Sequence, residues 1–119
     1  MVNGALIPIQ TPPARLKAAY SSRTCFYALT MLAISDARKK FLWIRSGLPG
    51  SIGDSRAFKE RRWYAQQKAD GYVLHEGFYL LADGGFASEK WLLKPYPADQ
   101  HDDKHKFFNY VLSSTRVIV

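Results

Sequence analysis

Two β-rich runs, RTCFYALTMLAI and KKFLWIRSG, are joined by the four residues SDAR, and that spacing constrains the chain more than any other feature. Both runs carry Leu, Ile and aromatic residues, so they predict a hairpin. Neither run alternates cleanly, which predicts that both faces of the pair are covered. The shorter run ALIPI reads as a strand broken by QTPP, with Pro8 fitting only at an edge or near a strand end. Past the hairpin, GLPGSIGDSR is dense in Gly and Pro and predicts a loop in which Asp54 or Ser55 caps a helix through AFKERRWYAQQKADG. Trp63 and Tyr64 are the expected anchors of that helix. Lys59, Arg61, Arg62 and Lys68 keep much of it solvated.

Further on, GFYLLAD reads as an apolar strand, ASEKWLL as a short helical or irregular connection into LLKPY, and ADQHDDKH as a polar loop. The last segment, KHKFFNYVLSSTRVIV, puts Phe107, Phe108, Val111, Leu112, Thr115 and Ile118 on one helical face. Strand, hairpin, helix, strand and helix in that order predict a mixed α/β (α+β) domain. A length of 119 residues allows one domain, and 47% hydrophobic with 14% aromatic content argues against disorder. The net charge of +7 favours a polyanionic partner, because Lys and Arg near phosphates release condensed counterions. Cys25, the single cysteine, rules out an internal disulfide and is expected to be a small core residue in a reducing compartment. The longest apolar run, FYALTMLAI, is too short to span a bilayer, and MVNGALIPIQTPP has no basic flank of the kind a signal peptide carries. A soluble, intracellular chain is expected.

The stretch YLLADGGF carries a lone acid, Asp83, at the end of an apolar strand, with two glycines behind it. Asp-Gly is a common turn dipeptide, so a turn is one reading. A metal ligand held at a strand end is the other. Asp54 reads as an N-cap. GLPGSIG lacks the Lys-Ser/Thr ending of a phosphate loop and is expected to be a strand-to-helix connection. HDDKH, with His101 and His105 four apart, fits a solvated loop better than a zinc site, and His75 has no identifiable partner.

Taken in order, NGALIPIQ, YSSRTCFYAL, GLPGSIGDSRAF, YLLADGGF, WLLKPY and FFNYVLSSTRVIV resemble the DDE superfamily endonuclease domain of PIF/Harbinger-type transposases and their domesticated relatives. The resemblance runs from about Asn3 to Val119. It implies an RNase H-like mixed sheet with flanking helices, in which three acids hold two divalent metals, Mg²⁺ or Mn²⁺, for DNA strand cleavage and transfer. On it, LLADGGF matches the motif of the second acid, so Asp83 is the implied catalytic metal ligand, and Asp54, within GLPGSIGDSRAF, is implied as a weak ligand near the metal site, with helix capping the favoured role. It also implies DNA as partner and a nuclear location. Lys94 and Arg116 fall within family-like motifs and are candidate DNA contacts, as are Lys39 and Lys40 in ARKK and Arg61 and Arg62 in KERR.

Two departures bear on activity. The position of the family's first acid, in an Asp-Gly-Thr type motif, is taken here by Asn3, which offers a carbonyl oxygen without negative charge. The third acid, a Glu, is expected just past an RVVV-like segment, where this chain ends in TRVIV. A single partial domain over residues 1–119, incomplete at both ends and catalytically impaired, is therefore expected. Apolar sheet left uncovered in such a fold implies marginal solubility and a protein partner or oligomer. The alternatives are a domesticated module that binds nucleic acid or protein without catalysis, and a genomic fragment without function.

Overall fold

The computed structural model describes residues 1–60, 62–70, 74, 77–100 and 102–118. The mixed α+β reading is borne out. Strand β1 (Val2–Pro8) pairs antiparallel with β2 (Ala28–Ser35), and β2 with β3 (Phe41–Pro49), giving the order β1-β2-β3. Pro8 ends β1 on the sheet edge, where its missing N–H costs no ladder bond. Between β1 and β2 the chain makes a 3-10 turn (Ala14–Leu16) and the short helix α1 (Lys17–Tyr20).

The predicted hairpin forms from β2 and β3, although Arg23 to Tyr27 lie outside the strand. Its turn is built by Asp36, whose Oδ1 accepts the N–H groups of Arg38 (2.9 Å) and Lys40 (3.0 Å) while Lys39 takes φ +63°. Pairing steps from Thr30–Leu48 to Leu32–Arg45, so Ser46 and Gly47 together oppose Met31 in a bulge. Gly47 has φ +91° there, a conformation costly to any residue with a Cβ.

Coverage of the sheet differs from expectation. Along β2, buried Ala28, Thr30, Leu32 and Ile34 alternate with half-buried residues, so one face is sealed and the other only partly covered. The sealed face carries helix α2 (Asp54–Lys59) through Ala57 and Phe58. The single helix predicted over this region is two, α2 and α3 (Arg62–Asp70). Tyr64 anchors α3 in the core as expected, whereas the Trp63 side chain lies outside the described residues.

Strand β4 (Leu80–Leu81) is much shorter than the run GFYLLAD that predicted it, and it pairs in parallel with β5 (Leu92–Leu93), a strand lying where ASEKWLL predicted a helical or irregular connection, with Leu80 N–H on Trp91 O (2.8 Å) and Ala82 N–H on Leu93 O (2.9 Å). The core joins both sheets: Val2, Leu32 and Ile34 meet Phe58, Tyr64, Leu80, Phe86 and Leu92. At its centre the Phe58 ring stands edge-on to Tyr64 (5.6 Å) and Phe86 (5.4 Å), and Trp91 packs against Tyr64 (5.4 Å).

The predicted polar loop ADQHDDKH instead starts a helix. After a 3-10 turn (Ala98–Gln100), Asp102 caps α4 (Asp103–Ile118) by accepting the His105 N–H at 2.7 Å. Asn109 then fastens α4 to the chain before it, accepting the Tyr96 N–H (2.8 Å) and donating to the Tyr96 carbonyl (3.1 Å). The Tyr96 ring lies 4.0 Å from that of His105. The predicted apolar face of α4 divides: Leu112 is buried and Phe108 half-buried, but Phe107 is 69% exposed and Val111 is exposed as well. Among the described residues, no helix is long and apolar enough to cross a membrane.

The contrast between two phenylalanines tests this packing. Phe58→Ala is expected to cost about 3–5 kcal/mol in urea unfolding, whereas Phe107→Ala should stay within about 0.5 kcal/mol.

Candidate active site

Helix α2 starts where the chain leaves β3, and the expected cap is displaced by one residue. Gly53 occupies the N-cap position with no side-chain hydrogen bond, and Asp54 is the first helical residue. Asp54 is thereby released from capping. Its carboxylate lies over Gly4 of β1, so closely that a Cβ on Gly4 would overlap it. Only glycine leaves that space, which explains the small residue in the middle of a strand.

Asp83 reaches the same region from the end of β4. Its Oδ1 accepts the Gly85 N–H (2.9 Å), and its carbonyl accepts the Phe86 N–H (3.3 Å), so the turn reading describes its local geometry. Turn and site are compatible here. Asp54 and Asp83 line one cavity of about 680 Å³, together with Gly4, Arg23, Gly53 and Gly85. The Asp54 carboxyl titrates above its ordinary range, first because burial disfavours the anion and then because the Asp83 charge opposes it; Arg23 pulls the other way.

Two half-buried carboxylates that repel one another suit a hard divalent cation, which prefers oxygen ligands. The pair supplies oxygen donors of the kind such an ion takes. Among the described residues no group of three or more His, Cys, Asp or Glu gathers to make a larger site.

The other predicted residues stand apart from this pair. Asn3 is exposed and does not line the cavity; its Oδ1 accepts the Gly4 N–H at 3.0 Å, and strand alternation turns it away from the face of Val2 and Gly4. Lys94 donates from Nζ to the Phe86 carbonyl (2.8 Å), bracing the turn that follows Asp83. Lys39 and Lys40 are exposed at the β2–β3 turn. Arg116 sits half-buried in α4, its Nε buried without a hydrogen-bond partner among the described residues. Arg62 opens α3, and Arg61 lies outside the described residues, as do His75 and His101. His105 is engaged locally with Asp102 (3.3 Å). GLPGSIG does connect strand to helix.

Two features escaped the sequence reading. Arg23 enters the cavity from a loop whose run read as strand, and Cys25, expected in the core, is exposed on that loop with φ +64°. The useful signal for the site was the Asn-Gly pair in β1, where a strand-interior glycine marks close approach by another group.

The Gly4–Asp54 contact can be measured. Gly4→Ala is expected to cost about 1–3 kcal/mol in the wild type and less than about 0.5 kcal/mol in an Asp54→Ala background, read by a double-mutant cycle in urea. The raised Asp54 carboxyl predicts a pH dependence as well. The folded chain holds the Asp54 proton above the ordinary value of 3.8, so this contribution to stability is complete below that pH and is lost as pH rises through the raised value. Asp54→Asn should therefore be more stable than wild type at neutral pH and match it under acid conditions, by urea unfolding at both.

A family model described as DDE superfamily endonuclease matches residues 2–119. No curated protein and no solved structure gives a match. A match over nearly every residue, on a mixed α+β fold with two carboxylates in one cavity, assigns the chain to the DDE superfamily endonuclease family.

Proposed function

We propose that this chain is a transposase-derived endonuclease domain of the PIF/Harbinger type, acting on DNA in the nucleus, with Asp83 and Asp54 as ligands to a divalent cation. The family generally uses divalent metals and binds DNA. The observation that carries the reading is the convergence of Asp54 and Asp83 on one cavity, where burial first and the Asp83 charge second raise the proton affinity of Asp54. An RNase H-like arrangement is supported by the antiparallel β1-β2-β3 order and the parallel β4–β5 pair, with Asp83 just past β4.

Mechanistically, the chain's own residues supply orientation and charge. The Gly85 N–H fixes the Asp83 carboxylate, and the absent side chain at Gly4 lets Asp54 lie against β1. When bound, Mg²⁺ or Mn²⁺ would polarise a phosphoryl oxygen. Asn3, at the family's first-acid position, is uncharged and stands outside the cavity, which leaves Asp54 and Asp83 as its carboxylates, so strand cleavage is impaired while cation and DNA binding persist. Lys39, Lys40, Arg61, Arg62, Lys94 and Arg116 are the sequence-derived DNA contacts, and of these the exposed turn lysines are best suited to a backbone phosphate.

A second reading, a module that binds a protein partner without catalysis, is favoured by exposed Phe107, Tyr110 and Val111 on α4. Calorimetric titration with Mn²⁺ separates the two. Wild type is expected to bind, and Asp83→Ala and Asp54→Ala each to weaken binding by about tenfold or more. Plasmid nicking should be weak in wild type and absent in both variants. Absence of Mn²⁺ binding by wild type would leave the partner-binding reading.

A further inference from the structure

A cavity holding two carboxylates repels the phosphate a nuclease must admit, so a cation close by is needed for a nucleic-acid strand to enter. Two arginines line the cavity. Arg56 is committed elsewhere, its Nε bonded to Glu60 Oε1 at 3.0 Å one helical turn on. Arg23, by contrast, makes no hydrogen bond or salt bridge among the described residues, and its guanidinium keeps a fork of donors that matches phosphate oxygens.

The loop that carries Arg23 is built to hold it. Buried Ser22 donates from Oγ to the Phe26 carbonyl (2.8 Å) and shares a hydrogen bond with Thr24 Oγ1 (2.9 Å), while its N–H also reaches Phe26 O (3.0 Å). Cys25 donates its N–H to Ser22 O (3.1 Å) and takes φ +64°, the left-handed region that a residue with a Cβ enters at a cost. Such strain persists where the surroundings over-determine it, and here the loop hydrogen bonds do so. Thr24 and Ser51 add hydroxyls to the same cavity wall.

We infer that the Ser22–Phe26 loop is a phosphate-binding element, with Arg23 taking a backbone phosphate of DNA in the cavity beside Asp54 and Asp83. The inference rests on the nuclease reading above, and it concerns strand binding alone. It is tested without divalent cation, so that metal affinity plays no part. A fluorescein-labelled 20-base-pair duplex is titrated with the full chain in EDTA over a series of NaCl concentrations, read by anisotropy.

Arg23→Gln is expected to weaken binding roughly five- to tenfold at low salt and to reduce the slope of log K against log salt by about one. Arg23→Lys should restore the slope but not the whole affinity, because ammonium lacks the planar fork. Lys104→Gln, which removes an equal charge from an exposed position on α4 away from the cavity lining, should lose less than Arg23→Gln. An Arg23→Gln slope equal to that of wild type, or an equal loss in Lys104→Gln, would overturn the proposal. Calorimetry with Mn²⁺ on Arg23→Gln keeps the two readings distinguishable: cation binding that fails in wild type removes the carboxylate site, while the salt slope still decides Arg23.

Discussion

The contact between Phe58 and Phe86 ties the two halves of the molecule together. Phe58 lies one turn beyond Asp54 in α2, and Phe86 lies three residues beyond Asp83 after β4, so an edge-to-face pair 5.4 Å apart holds together the two segments that carry the acids. Neither strand ladder does this. β4 and β5 form their own two-stranded sheet, and the larger sheet reaches them through the aromatic cluster of Phe58, Tyr64, Phe86 and Trp91. The hydroxyl of Tyr64 adds a polar tie, donating to Glu89 in the connection between β4 and β5. Burial of apolar rings, worth about 25 cal/mol per Å², thus carries a geometric duty in addition to stability.

The cost of that geometry is electrostatic. Bringing a second carboxylate near a half-buried one disfavours ionisation, and the chain offsets this only in part, through Arg23. A cation between the acids would relieve both burial and repulsion. The same frustration marks many functional sites, where local choices that oppose stability persist because they serve chemistry. Gly4 belongs with them: a strand interior gains nothing from glycine except the room it leaves for Asp54.

Much of the fold was legible because it rests on local signals. Dense β-forming residues on either side of SDAR specified the hairpin, and the order of runs specified the mixed class. What was misread rests on geometry at single residues. The Asp54 cap failed because Gly53 supplied the non-helical conformation one position earlier, and a propensity for capping does not tell a cap from the residue after it. Helix α4 began inside a stretch that looked like polar loop, since Asp102 is both a loop-former and a good cap. Asp83 was singled out as a candidate through the family resemblance, since its strand-end setting alone fits a turn equally well, and its place in one cavity with Asp54 depends on long-range packing that no window of sequence contains. Arg23 was invisible for the same reason, and Cys25 because a hydrophobic-looking run began in a strained loop.

Asn109 has a consequence for how the molecule tolerates change. Its amide reads both main-chain groups of Tyr96, so α4 is moored to backbone as a neighbouring strand would be, with a side chain standing in for a peptide unit. Mooring of this kind is indifferent to which side chains α4 turns to solvent. Phe107 and Tyr110 are therefore free of any duty in holding the helix, and that outward surface is open to be rewritten for new uses while the domain beneath it stays as it is.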